Sequence, residues 1–263
     1  MQAALAVARM DLRRLLLTRR GLPLLILGAV PVIVAITIAS LSPNTARLGR
    51  YIQEYAALFQ ILVLSGTLFF GVAATFVGLI RGEILDKSLH YLLLSPVRRE
   101  AMGVGKYLAG FVATAFTFGL STALSYVILL SGAGVAGRER LLSAEGLGAL
   151  SSYVLAAVLA CAAYGGLFLA LGLLGKNPMV GAALVWIFER ISIVFPPILR
   201  RLMPSYHLDS LLPVHFDQGP FALIIDPAAW WVSVPALVIF GALFATVASV
   251  GTRRIEVLGA QSA

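Results

Sequence analysis

Six stretches of about twenty or more residues, almost unbroken in apolar side chains, decide what this chain can fold into. They run over 21–41, 56–80, 107–131, 146–175, 178–198 and 227–251. The hydrocarbon core of a bilayer is about 30 Å thick and takes about 20 helical residues to cross. The stretches show no two-residue alternation and exceed barrel-strand length, so a transmembrane β-barrel is excluded. The chain is 60% hydrophobic and only 12% charged, the latter about half the usual globular share. That balance excludes a soluble domain and intrinsic disorder alike. The expectation is an all-α polytopic membrane protein, one domain over 1–263 with six transmembrane helices. The single cysteine, Cys161, sits in an apolar run and reads as a core residue; it excludes a disulfide framework and a cysteine-based zinc site.

The net charge of +8 would suit nucleic acid on a soluble protein. In a membrane chain it marks basic cytoplasmic loops, so no nucleic-acid partner is expected. With the N-terminus inside, the cytoplasmic segments hold Arg9, Arg13, Arg14, Arg19, Arg20, Arg81, Lys87, Arg98, Arg99, Lys106, Lys176, Arg253 and Arg254. The outer segments hold Arg47, Arg50, Arg138, Arg140, Arg200 and Arg201. Thirteen against six puts both termini in the cytoplasm. Residues 1–20 are too basic to span. Leu5, Leu12 and Leu16 share one helical face, with Ala8 and Leu15 beside it, and Arg9, Arg13 and Arg20 another. That pattern predicts an amphipathic helix lying among lipid headgroups. Small residues four apart, such as Ala156 and Ala160 or Gly241 and Ala245, predict close helix packing within the bundle. Trp186, Trp230 and Trp231 read as interfacial anchors.

Two glycine patterns resemble nucleotide sites and fail on context. Gly132-x-Gly134-x-x-Gly137 follows a membrane span rather than a strand, and reads as a loop. Gly105-Lys106 is followed by Tyr107, where a phosphate-binding loop needs Ser or Thr, and Glu100 stands in place of the first glycine. The chain therefore has no ATP site of its own. No catalytic constellation appears, and no metal is expected. His207/Asp209 and His215/Asp217 are residue types that bind zinc or copper, but the outer segment 199–226 reads first as an ordered cap broken by Pro196, Pro197, Pro204 and Pro213. Glu189 and Arg190 are the ionisable pair inside a predicted span. Intramembrane charge is costly and usually functional, so both are expected to face the bundle interior or an aqueous cavity, as part of a substrate path.

Between the second and third spans, residues 81–106 form the one long hydrophilic cytoplasmic loop. Leu85, Leu89, Leu92 and Leu93 make an apolar stripe at helical spacing. Glu83 and Lys87 pair on the opposite side. Ser95 is placed to cap a second short helix with Pro96 at its first position, and Arg98 and Arg99 follow. Helix, turn and helix are thus presented to the cytoplasm. Each leucine is worth ~1.5–3 kcal/mol when fully buried, so the stripe calls for cover by lipid, by the bundle or by a partner.

This segment resembles the signature of type-2 ABC transporter permeases. The family pattern has an acidic residue after the second span, a leucine pair, Ser/Thr-Pro, a basic residue and Gly-Lys opening the third span. Here those are Glu83, Leu92-Leu93, Ser95-Pro96, Arg98 and Gly105-Lys106; Lys87-Ser88-Leu89 stands where many members have Gly-Thr-Leu. The resemblance implies that 81–106 is a coupling helix docking on a separate ATPase through Glu83, Leu85, Leu89, Leu92, Leu93, Ser95, Pro96, Arg98, Arg99 and Lys106. It implies that 1–20 is a connecting elbow, and that the chain is the non-enzymatic permease of an exporter in a bacterial or archaeal cytoplasmic membrane. The working unit would hold two ATPase copies, which bind ATP and magnesium, and a second permease copy or a similar permease, all in contact with membrane lipids. The rival expectation is a stand-alone secondary transporter or channel, which should line its spans with more ionisable residues than Glu189 and Arg190.

Overall fold

A computed structural model describes residues 2–18, 21–41, 48–85, 99–174, 177–192, 195–214 and 226–251. Among them the regular structure is helical throughout, with no strand. We number the helices α1 (Gln2–Leu17), α2 (Leu22–Leu41), α3 (Leu48–Ala57), α4 (Phe69–Leu85), α5 (Arg99–Ser131), α6 (Gly134–Leu142), α7 (Ala144–Leu174), α8 (Pro178–Ile191), α9 (Pro197–Arg200), α10 (Pro204–Ser210) and α11 (Trp230–Gly251). A π-helical segment, Leu58–Leu68, joins α3 to α4 without a break. Five helical stretches are long and apolar enough to cross a membrane: Leu22–Leu41, Leu48–Arg81, Ala101–Ser131, Ala144–Leu173 and Trp230–Gly251. The chain is a multi-pass membrane protein. Large apolar side chains of α2 and α11, such as Ile26, Ile33, Ile239 and Leu243, are exposed, as lipid-facing positions should be, while α4, α5 and α7 supply most of the core.

The predicted fifth stretch behaves differently. Its helix, α8, has 14 residues, about 21 Å at 1.5 Å per residue, and stops at Ile191 rather than continuing to 198. Pro196 and Pro197 deny a continuing helix its amide donors, and Pro197 and Pro204 each open a new short helix.

Helix directions follow from cross-contacts. Gly28 meets Thr117 and Ala39 meets Gly132, so α2 and α5 run side by side in the same direction. Phe118 meets Gly71 and Phe76 meets Gly110, so α4 runs opposite to α5. Tyr107 donates to the Ala162 carbonyl while Tyr126 donates to that of Gly146, so α7 also opposes α5. Gly241 lies on Ala162 and Gly166, and Gly251 near Leu173, so α11 runs parallel to α7. Between Leu174 and Trp230 the chain therefore returns along the bundle by way of α8, α9 and α10.

The α7–α11 contact is backbone against backbone. A Cβ on Gly166 would sit 2.3 Å from the Gly241 carbonyl oxygen, and one on Gly241 would sit 2.5 Å from that of Ala162. Small residues permit the close approach that substitutes for a hydrophobic drive in lipid. Ala156 and Ala160 are fully buried, in line with packing inside one subunit. Cys161 is likewise fully buried and free. At the α5–α6 corner, Gly134 adopts φ 71°, a left-handed conformation that glycine takes without strain. The dinucleotide-like pattern is thus a helix–turn–helix corner. Ser143 then starts α7, its Oγ accepting from the Gly146 amide at 3.1 Å, as an N-cap does.

Candidate functional site

Two polar constellations interrupt the apolar bundle. The first lies where α1, α4 and α5 meet. Lys106, one turn inside the described start of α5's buried face, is 1% exposed, and Asp11 of α1 is 2% exposed. Lys106 Nζ donates to Asp11 Oδ2 at 3.4 Å and to the Leu79 carbonyl of α4 at 3.1 Å. Gly105 admits α1 closely, since a Cβ there would lie 2.7 Å from the Ala4 carbonyl oxygen. One ammonium thus ties three helices together beside the segment that joins α4 to α5. The Gly105-Lys106 pair stands inside α5, and the lysine reaches Asp11 and the Leu79 carbonyl.

This contact changes the reading of α1. The face turned to the bundle carries Ala4, Asp11 and Leu15, while Leu5 and Leu16 of the expected apolar stripe are exposed along with Arg9 and Arg13. An acidic residue occupies an inward position because Lys106 is there to pair with it; a buried carboxylate without a partner would be prohibitive. Helical periodicity sets Asp11 beside Ala4 and Leu15, but nothing local in the sequence names its partner.

Of the other predicted docking residues, Glu83 and Leu85 lie in the last turn of α4 and Arg99 opens α5. Leu89, Leu92, Leu93, Ser95, Pro96 and Arg98 fall outside the described residues.

The second constellation surrounds the end of α8. Glu189 is 6% exposed, and its Oε2 accepts the Tyr164 hydroxyl of α7 at 2.7 Å. Arg190 is exposed, as a helical offset of about 100° per residue requires. The expected inward placement therefore describes Glu189 and not its neighbour. Tyr164 is ten residues before the end of α7, about 15 Å by helical rise, so Glu189 meets it deep within the bundle. One turn earlier, Trp186 Nε1 donates to the Ser65 carbonyl at 2.6 Å. Trp186 is thus a bundle contact rather than an interfacial anchor; Trp230 and Trp231, at 67% and 64% exposed, keep positions suited to that role.

The acceptor of the Trp186 bond belongs to the π segment. There Ser65 Oγ donates to the Gln60 carbonyl at 2.6 Å and Thr67 Oγ1 to that of Leu62 at 3.2 Å, each five residues back. Gln60 Nε2 reaches the Val214 carbonyl at 3.1 Å. A π turn is wider than an α turn and often marks a functional position. This one is bonded to α8 at one level and to the chain beyond α10 at another. The Ser65-Gly66-Thr67 run inside a predicted span was the only local sign of it.

Above this site, α10 packs on α11. His207 contacts Ser233 Oγ through Nδ1 at 3.4 Å and the Arg201 carbonyl through Nε2 at 2.9 Å. Burial lowers the His207 pKa from the ordinary imidazole range, and the Arg201 bond opposes that shift. Tyr206 donates to the Asp226 carbonyl at 2.8 Å. Both ring nitrogens of His207 serve the cap itself; His215 and Asp217 lie outside the described residues. Four aromatic rings of the neighbouring core, Tyr55, Phe59, Tyr126 and Tyr153, cluster together; Tyr55 meets Tyr126 and Tyr153 edge to face at 4.9 Å, and Phe59 meets Tyr153 edge to face at 4.8 Å. Their spacing in sequence carries no mark of this cluster.

Compared with known proteins, the chain matches no family model and no curated protein.

Proposed function

We propose that the chain is the membrane-spanning permease subunit of an ATP-driven exporter. Residues 81–106 would dock on a separate ATPase, with Glu83, Arg98 and Arg99 as a polar rim around the leucine stripe. The observation that carries this reading is the Lys106–Asp11–Leu79 junction. A push on a loop between α4 and α5 would be conveyed through a dry ion pair to three helices at once, as rigid-body coupling needs. A merely solvated loop has no use for such a junction.

Six crossings follow in this reading: the five long helices, and a shorter sixth made by α8, with α9 and α10 in the outer cap. The parallel run of α7 and α11 supports it, because an intervening return restores even parity. The first helix and the end of α11 share one end of the bundle, with Val7 and Ser249 both against the start of α5. The basic asymmetry assigns that end, and so both termini, to the cytoplasm. Two copies, or this chain with a similar one, would complete the path, with ATP and magnesium bound by the partner ATPases in a bacterial or archaeal cytoplasmic membrane.

A stand-alone secondary transporter is the second reading, favoured by one observation: a helix that breaks off beside a buried carboxyl, Glu189 at the end of α8, is a way such transporters build ion sites. Reconstituted vesicles separate the two. Uptake that requires the co-purified ATPase and ATP supports the exporter, while uptake driven by an ion gradient in the chain alone supports the rival. In the first case Glu83→Ala, Arg98→Ala and Leu92→Asp should release the ATPase or uncouple hydrolysis from transport. Retention of both activities in all three would remove the coupling assignment.

A further inference from the structure

Beside Glu189 the bundle carries a cavity of about 590 Å³ between α7, α8, the α9–α10 junction and α11. Leu167, Leu184, Phe188, Met203 and Phe240 line it, and Glu189 is the one ionisable side chain among the described lining residues. The cavity exists because the sixth segment is broken. Residues 184–191 approach from one side of the break and 202–204 from the other. Its mouth opens sideways, since Leu184 is 62% and Phe188 50% exposed, and beside a membrane helix that surface meets acyl chains. The volume falls in the ~300–1,000 Å³ range of small-molecule sites, which are mostly apolar with a few placed polar groups.

We propose that this cavity binds an amphiphile with an apolar body and a cationic amine head, which enters from the bilayer and pairs with Glu189. The walls match an apolar body. The Tyr164 hydroxyl occupies Oε2 and fixes the carboxyl, so the guest's amine has Oε1 to address. Among the described residues no salt bridge ties a basic side chain to Glu189; Arg190 is exposed and acts on it only from a distance. A carboxylate set in apolar walls is costly without a cation, and here the guest brings one. An anionic lipid headgroup would instead place a second negative charge against Glu189. The meaning of this site for transport rests on the permease reading; binding itself does not.

The test is equilibrium dialysis of the full-length chain, without any ATPase, in phosphatidylcholine nanodiscs. Radiolabelled dodecylamine, dodecanol and dodecanoate serve as probes, with empty nanodiscs subtracted. Saturable binding of the amine is expected, with the alcohol weaker and the carboxylate absent. Glu189→Gln should lower amine affinity by roughly thirtyfold or more, the effect of removing one partner of a buried charge pair. Leu184→Trp, which fills the mouth away from the Tyr164 bond, should abolish it and carries the test if Glu189→Gln fails to fold. Equal binding of amine and alcohol, or an unchanged Glu189→Gln, would overturn the proposal. So would a retained phospholipid, seen by native mass spectrometry, that is lost in Leu184→Trp but kept in Glu189→Gln. A Leu184→Cys variant in a Cys161→Ala background that cross-links between copies would show the mouth closed by a second chain, and would overturn it too. Because no ATPase is present, amine binding and ATPase docking fail independently.

Discussion

The α7–α11 pair and the segment that connects them share one apolar environment and are held in different ways. The pair is joined by glycines, with carbonyl oxygens of one helix where a Cβ of the other would be. The connecting segment is broken by prolines and, besides buried contacts such as those of Ala182 and Leu208, is fastened by single hydrogen bonds: Trp186 to Ser65, Tyr164 to Glu189, and Gln60 to Val214. Burial of apolar area gives helices in lipid little reason to associate. Close backbone packing is unforgiving and fixes one arrangement. A few directional bonds to a π segment fix a position through fewer contacts. The Lys106–Asp11 junction belongs with the rigid part, since it ties α1, α4 and α5 without any break.

The largest effect should come from that junction. Lys106→Met leaves the buried Asp11 without its ammonium and Asp11→Leu leaves Lys106 without its carboxylate, and each should cost about 3–5 kcal/mol; a thermal melt of the purified protein would show it. The double variant Asp11→Leu/Lys106→Met should recover much of the loss, and failure to recover would mean that the helices are held there by something other than the pair.

Next comes the glycine seam. Gly241→Val should destabilise by about 1–3 kcal/mol or more through overpacking, whereas Gly78→Ala, where nothing approaches a new Cβ, should leave the melt unchanged. Equal melts for the two would show that the backbone contact does not carry the α7–α11 association.

The broken segment should yield smaller losses of stability and larger losses of function. Trp186→Phe removes one hydrogen bond and should cost about 1 kcal/mol. If directional bonds position this segment, transport in vesicles should fall more than the melt does. A fall in the melt with transport intact would place Trp186 among ordinary packing residues.

The smallest effect concerns pH. The folded His207 pKa lies below its unfolded value, so the unfolded chain takes up the proton first. The contribution is whole above about pH 6.5 and declines as the pH falls below it and through the folded value. His207→Gln should flatten the part of the melt-versus-pH curve between pH 5 and 7 that the wild type owes to α10 docking on α11.

Several of these features were legible in the sequence, and the reason is periodicity and length. Five long apolar runs require five long helices because a backbone in hydrocarbon must satisfy its own hydrogen bonds. The prolines at 196, 197 and 204 announced breaks, although the hydropathy of 178–198 suggested an unbroken span; helix termination is local stereochemistry, and it outweighs average apolarity. Asp11, Trp186 and Gln60 were not legible. Each is a polar or amphipathic group whose place depends on one partner far along the chain: Lys106 at 95 residues, Ser65 at 121 and Val214 at 154. No local pattern encodes which distant donor will face which acceptor.

Glu189 and Arg190 divide along the same line. Their presence inside an apolar run marked a site from the sequence alone, because charge in a membrane demands a reason. Which of the two turns inward was decided by Tyr164, brought to that level by α7, and by the α8–α9 break that opens the cavity beside it. Length and composition determined that this chain lives in a membrane as a bundle of helices. Only the tertiary structure decided where its few polar groups meet, since in an apolar medium those meetings depend on distance and angle and not on the identity of sequence neighbours.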